Sequence, residues 1–369
     1  MADELSAGVP VAGAPGLSSD LDLGRGLFLF AALLSAPMAI GLLLEPIIHA
    51  WSDRVDRRPL LLGALAGASL SLAIASLSVG PVTLVGALGV WGLCTGVACG
   101  VAQAGLVASS SDPSRAMTRW ALATSVGDLA APLVVGALAF VGLGWRAALG
   151  VAAAFSLVVL LTAVRAPVAP SEPDEDDDLS FTAAFRGALG TPRLLAWVAA
   201  MASCTLLDEI VLMLAALRAG DDPWITSVQL GALVVGDGAG LLAAEWALRR
   251  WSARAVLISS AAVTAAGLGG WLAAPGVWTG AVALFAVGAS AALHWPLAKA
   301  AAFASLPGRP GLVNALDALA NGFDLVAPLA VGLVASRFGV DAAIAVLGLQ
   351  PLCVGGVAAF VGQRGKTSC

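Results

Sequence analysis

Ten ionisable side chains fall inside stretches that are otherwise almost wholly apolar: Glu45, Asp128, Asp208, Glu209, Asp237, Glu245, His294, Lys299, Asp317 and Asp324. One such group at the centre of a hydrocarbon layer costs roughly 2.5–3.5 kcal/mol on insertion scales. Ten of them facing lipid would cost on the order of tens of kcal/mol, so they must line a polar interior. The chemistry open to them is proton binding and release, ion pairing, and recognition of a polar solute. Asp208 and Glu209 are adjacent, and two close carboxylates resist ionising together. Neighbours on a helix point about 100° apart, so the two do not share one direction. One of this pair, together with Glu45, is the candidate for carrying a proton. Asn314, Asp317, Asn321 and Asp324 are spaced i, i+3, i+7, i+10, which sets them on one helical face. That polar stripe has two readings, the lining of a wet cavity or hydrogen bonding between helices.

The elements that carry these groups follow from composition. Of 369 residues, 59% are apolar and 12% charged, against about 25% charged in a soluble domain. Mean hydropathy is +0.92. Such a chain is neither a soluble enzyme, a disordered segment nor a nucleic-acid binder; it reads as an all-α polytopic membrane protein embedded in a lipid bilayer. The net charge of −5 is accounted for by one acidic run at 172–178. Cys94, Cys99, Cys204 and Cys353 lie in apolar segments without CxxC spacing, and read as free thiols rather than metal ligands. No nucleotide loop, metal cluster or nucleophile constellation is present in the sequence, so no cofactor is expected. Gly236, Gly238 and Gly240 sit inside a span and suit close helix packing.

Eleven spans are expected, at 26–50, 59–79, 82–108, 117–141, 145–164, 194–217, 225–248, 256–273, 278–305, 312–336 and 342–361. Loop charges orient them. Arg54, Arg57, Arg58, Arg115, Arg119, Arg165, Arg186, Arg193, Arg249, Arg250, Arg254, Arg309, Arg364 and Lys366 gather on one side, with Lys299 just inside a helix. Arg25, Arg146, Arg218 and Arg337 take the other. The richer side is expected to be cytoplasmic, with the C-terminus there, in a bacterial cytoplasmic membrane. The stretch 166–191, with Pro167, Pro170, Pro173 and the acidic run, reads as a cytoplasmic linker between bundles at 26–165 and 192–362, followed by a tail at 363–369. Residues 1–25 form an N-terminal segment in which 5–17 is apolar but short, holds Pro10 and Pro15 and lacks a basic start, a poor signal peptide.

The two halves resemble each other. Glu45, Trp51, Ser52 and Arg54 recur as Glu245, Trp251, Ser252 and Arg254, and 128–136 (DLAAPLVVG) recurs as 324–332 (DLVAPLAVG). Rare charged residues in matched places point to an internal duplication with parallel repeats. Asp128 and Asp324 are then symmetry mates, each four residues before a proline. They suit either glue between the two bundles or binding of substrate or protons. On this alignment the first half has five spans and the second six, with 9–23 standing where the tail of a first helix would be.

At 50–58 (AWSDRVDRR) the sequence resembles the loop between the second and third helices of the major facilitator superfamily, whose pattern runs roughly G-x-x-x-D-R-x-G-R-R. Asp53, Arg54, Arg57 and Arg58 match; His49 and Asp56 replace the two glycines. Gly144, Trp145 and Arg146 resemble the start of the family's sixth helix. The resemblance implies a pseudo-symmetric two-bundle fold, here of about 11 helices (5 + 6), that exposes a central site to each side in turn. It implies a small-molecule substrate, and that Asp53 with its arginines acts as a conformational latch by capping or pairing with neighbouring helix ends. Ala253 replaces the aspartate in the second-half copy. By position in the family fold, Gln103, Asp237, His294, Lys299, Asn314, Asp317 and Asn321 are cavity candidates. Gly92 stands where many proton-coupled members carry an arginine, so proton coupling rests on the buried carboxylates instead. The resulting expectation is a monomeric, non-enzymatic secondary transporter, proton-coupled, with export favoured. The alternative is a membrane sensor or a relic transporter without its first helix.

Overall fold

The computed structural model describes residues 1–13, 17, 20–21, 27–166, 181–220 and 222–361; for Val11, residues 27–38, Phe181, Glu209 and Pro223 only the backbone is described. The central part of the expected linker (167–180) and the tail from 362 onward lie outside these residues. All regular structure among the described residues is helical.

The first seven helices are α1 (Ala2–Ala12), α2 (Leu27–Ser52), α3 (Arg57–Ser76), α4 (Pro81–Ala108), α5 (Pro113–Phe140), α6 (Trp145–Arg165) and α7 (Phe181–Leu189). The second half continues with α8 (Pro192–Ser203), a 3₁₀ turn (Cys204–Leu207), α9 (Glu209–Ala219), α10 (Pro223–Arg250), α11 (Ala253–Leu272) and α12 (Val277–Ala291). It closes with α13 (His294–Ser305), α14 (Pro310–Ala320), α15 (Gly322–Phe338), α16 (Val340–Leu347) and α17 (Leu349–Val361). Ten helical stretches among the described residues are long and apolar enough to cross a membrane. The 26-residue α2 stands where the first expected span lies. Proline opens α4, α5, α8, α10 and α14, because a first-turn residue needs no amide partner. Side-chain caps sharpen other starts: Asp56 accepts from Arg58 N (2.9 Å), Asp222 from Trp224 N (2.9 Å), and Ser252 from Ala255 N (3.3 Å).

Several spans expected as continuous are jointed. The helix breaks between Ala291 and His294, and again at Gly348. In both places a proline lies just ahead, Pro296 or Pro351. Its missing N–H and its ring remove the bond to the carbonyl four residues back, at Ala292 or Leu347. The span expected at 194–217 turns 3₁₀ and then bends at Asp208 (φ −94°, ψ −97°).

Contacts divide the chain into two compact units. The first comprises Met1–Ser109, Ala123–Ala183 and Gly308–Ala318. Its core gathers Leu72, Leu84, Leu88, Trp91, Trp145 and Leu149. Here α1 packs against α6, and Gly8 and Gly13 let it approach Ala131 and Trp145. The second comprises Ser110–Leu122, Ala184–Pro307 and Leu319–Cys369. Its core gathers Leu206, Val211, Leu214, Trp271, Leu284, Val287 and Ile344. In it α10 and α12 nearly touch: a Cβ on Gly236, Gly240 or Gly288 would overlap the backbone of the facing helix. The exterior is apolar, as at Val79, Val82, Phe140, Trp278, Leu329 and Phe360, which suits lipid contact.

Candidate functional site: a polar seam and an arginine clamp

Glu45, His49 and Asp53 follow one another at four-residue spacing, so they line one face of α2 and its exit. Within the first unit they face α14. At the lower rung, Asp53 accepts from the backbone amides of Gly311 (2.7 Å) and Leu312 (3.0 Å). These are first-turn donors that no intrahelical carbonyl can reach, and the positive end of the helix favours an anion there. Glycine is required at 311, because a Cβ would press on the carbonyl of His49, on Ser52 Oγ and on the Asp53 carboxyl group. The Ser52 hydroxyl donates to His49 O (2.6 Å), fixing the end of α2. Arg57, nearly fully buried, reaches Asp53 at 3.4 Å, and Arg58 donates to Val164 O (2.8 Å). Arg54 is exposed. Burial pushes the Asp53 carboxyl group above the usual carboxylate range. The two amides and the Arg57 guanidinium pull the other way and do not fully offset it.

One turn up, the His49 ring lies against Gly100 of α4, where a Cβ would displace the ring. The same Gly100 carbonyl accepts from Asn314 Nδ2 (2.8 Å). Asn314 is buried, and its Oδ1 has no hydrogen-bond partner. Another turn up, Glu45 lies against Gly41 and Gly96, and Asp317 is close enough to interact with it electrostatically. Glu45, Asp53, Arg57, Asn314 and Asp317 therefore come together, whereas the sequence had divided them among proton, latch and cavity roles.

The polar stripe does not share one environment. Asn314 and Asp317 belong to the first unit, Asn321 and Asp324 to the second. The helix breaks at Asn321, which is exposed. Asp324 accepts a short hydrogen bond from Thr205. Asp128, its counterpart in the sequence repeat, lies in the first unit and hydrogen-bonds the Glu4 side chain.

Within the second unit a chain of buried polar groups surrounds His294. Gln350 Nε2 lies 3.0 Å from His294 Nδ1, while Gln350 Oε1 accepts from Leu207 N (2.9 Å). Thr264 Oγ1 lies 3.4 Å from His294 Nε2 and 2.7 Å from Ser290 Oγ. His294 is thus engaged at both ring nitrogens. Lys299, buried, stacks near Trp295 and Phe303, its Nζ 5.8 and 5.3 Å from the ring centroids. Asp208 is exposed at the bend, and the side chain of Glu209 lies outside the described ones. Asp237 is half-buried beside Gly288, and Gln103 is buried in α4.

In one constellation the arginines read from the sequence only as topology, and Glu245, expected to line a polar interior, is instead a partly exposed group in an ion-pair cluster. Glu245 takes Arg115 in a short ion pair, Arg119 at 2.7 Å and Arg249 at 3.4 Å. The available signal was Arg115 and Arg119 four residues apart at the start of α5, and Glu245 and Arg249 four apart at the end of α10. Among the described residues no group of His, Cys, Asp and Glu could hold a metal ion.

The family model for the Major Facilitator Superfamily matches residues 5–235. Solved structures share the fold. The Escherichia coli fucose:proton symporter superposes with a TM-score of 0.77 at 15% identity, covering 98% of this chain and 97% of its own. The human organic anion transporter MFSD10 gives 0.74 at 18% identity, covering 97% and 96%. A proton:xylose symporter bound to 6-bromo-6-deoxy-D-glucose gives 0.76 at 13% identity, covering 97% and 92%. Comparison with curated proteins finds no match.

Proposed function

Since the chain belongs to the Major Facilitator Superfamily, an integral membrane family with a two-bundle helical fold, we propose that it is a proton-coupled secondary transporter of a small polar or cationic solute. The observation that carries the proton is Glu45, a carboxylate within a membrane helix with a second carboxylate, Asp317, as its charged neighbour. Two such groups cannot both ionise cheaply away from water, so one of them takes up and gives back a proton as its surroundings change. Proton symport in two proteins of the same fold supports the reading. Asp53 acts as the latch, releasing the Gly311 and Leu312 amides in one conformation and holding them in another; Arg57 keeps its carboxyl group aimed. The bundles are 26–165 and 192–362, joined by the acidic linker. Asp208 and Glu209 serve as secondary proton groups, while His294 and Lys299 belong to the packing of their helices. The protein works as a monomer in a bacterial cytoplasmic membrane, with its C-terminus on the cytoplasmic side.

The test is a solute-dependent proton flux assay in proteoliposomes, screening small sugars and organic cations with a lumenal pH dye. The reading expects a flux in wild type that Glu45→Gln removes and that Asp208→Asn and Glu209→Gln weaken less. Equal flux in all four proteins would reject the proton assignment.

A further inference from the structure

Each of the spans expected at 194–217, 278–305, 312–336 and 342–361 is interrupted within the second unit, and side chains join the interruptions to one another. α8 passes into the 3₁₀ turn Cys204–Leu207, α12 stops short of α13 at 292–293, α14 gives way to α15 at Asn321, and α16 gives way to α17 at Gly348. The hydroxyl of Thr205, in the turn, donates to Asp324, just beyond Asn321. The amide of Leu207, at the end of the turn, donates to Gln350 Oε1 (2.9 Å), just beyond Gly348. Gln350 Nε2 lies 3.0 Å from Nδ1 of His294, the first residue of α13. The direction of each bond is fixed. A backbone N–H only donates, so Gln350 turns its oxygen to Leu207 and its amide nitrogen to His294, whose Nδ1 then accepts. Leu207, His294 and Gln350 are all buried. α8 packs on both α13 and α17, and the 3₁₀ turn packs on α15 and α17. A buried group that lost its bond here would be left without a partner, which destabilises by more than the bond contributes.

The first half of the repeat has neither these joints nor these side chains. The register that aligns Asp128 with Asp324 sets Ala98 and Gly100 where the second half has His294 and Pro296, and Ala154 and Phe155 where it has Gln350 and Pro351. α4 and α6 run unbroken through those positions. Proline and polar side chain therefore come together at both joints. The proline removes a backbone bond, and the residue one or two places ahead of it ties the softened joint to its neighbour.

We propose that Gln350 is a positioning residue for transport that makes these interruptions a single hinge, so that the second unit bends at all of them together. This deepens the transport reading above and rests on it. Joints softened separately would bend separately, and the unit would pass through many partly bent shapes. Joined through Gln350, a bend at the 3₁₀ turn reaches α13 and α17 by direct bonds, which favours two shapes over many. Thr205 and Asp324 extend the same tie to the break at Asn321.

Hydrogen–deuterium exchange of the full chain in detergent tests this without any solute. Thr205→Val keeps the side chain's shape and removes its donor. Among the described residues the Thr205 side chain bonds only to Asp324, and not to α13 or α17. The readout is exchange of the amides at 293–297 and 349–352. A single hinge requires that Thr205→Val speed both by about fivefold, the size expected from one net hydrogen bond. In Gln350→Leu both segments should already exchange faster, and adding Thr205→Val should change them no further. Exchange at 293–297 and 349–352 that ignores Thr205→Val, or that rises by the same factor with and without Gln350, would overturn the hinge. Should Gln350→Leu fail to fold, His294→Leu cuts the tie on one side alone: 349–352 should still answer Thr205→Val and 293–297 should not. Linked joints in a chain that moves none of the screened solutes would refute the transport reading and leave the hinge standing. Solute-dependent flux with joints that exchange independently would overturn the hinge and leave transport standing.

Discussion

At the scale of single residues, Asp53 decides most. Its carboxyl group accepts two amides at a helix N-terminus and is nevertheless held above the usual carboxylate range by burial. The sign of the resulting pH dependence follows. The folded state binds this proton more tightly than the unfolded chain, so stability falls as pH rises through the raised value. Melting of detergent-solubilised wild type should therefore show a component that weakens with increasing pH, and Asp53→Asn should lack it. Identical pH profiles would contradict the assignment. Gly311→Val should break the same contact sterically, since its first added carbon already overlaps Asp53 and His49. Transport should fall severalfold with the protein still folded. The loop pattern identified Asp53, and the resemblance implied that it caps a helix end, but nothing in the sequence specified Gly311. That pairing depends on residues more than 250 positions apart. His294 shows the opposite limit. A lone histidine in a helix suggests chemistry, yet its two nitrogens are engaged by Gln350 and Thr264, and neither partner is signalled by local spacing.

Among the elements, helix existence was legible and helix continuity was not. Apolar runs long enough to span a membrane and proline at helix starts marked the spans. The joints at Ala292 and Gly348 come from prolines three or four residues further on, a signal that was present and is explained by one lost hydrogen bond each. The bend at Asp208 has no such signature. Close approach of α10 and α12 was readable from the glycines at 236 and 240, and the structure shows the reason: a Cβ there would strike Phe285 or Ala289 backbone. Gly240→Val should accordingly destabilise the second unit by several kcal/mol, since a helix backbone cannot yield as a side chain does. Thermal melting in detergent checks this, and an unchanged midpoint would mean that the helices separate more easily than their packing implies. The clamp on Glu245 is partly exposed, so its pairs are individually weak. Arg115→Ala should cost more than Arg119→Ala, because Arg115 is the less exposed partner.

For the whole molecule, duplication carries the argument. Matched charged residues in the two halves implied a pseudo-symmetric transporter, and the family match supplies the membership. The repeat itself showed Ala253 where the first half has Asp53; what it could not reveal is that Glu245 takes arginine partners from α5. Solute identity is written in a few side-chain contacts, and composition does not encode it. The measurement that bears most directly on the account is a comparison of two fluxes in proteoliposomes for wild type and Glu45→Gln: solute exchange at equilibrium, and net uptake driven by a pH gradient. The account predicts that the variant keeps exchange and loses at least about tenfold of the gradient-driven uptake. A variant that accumulates solute against its gradient as well as wild type does would contradict it.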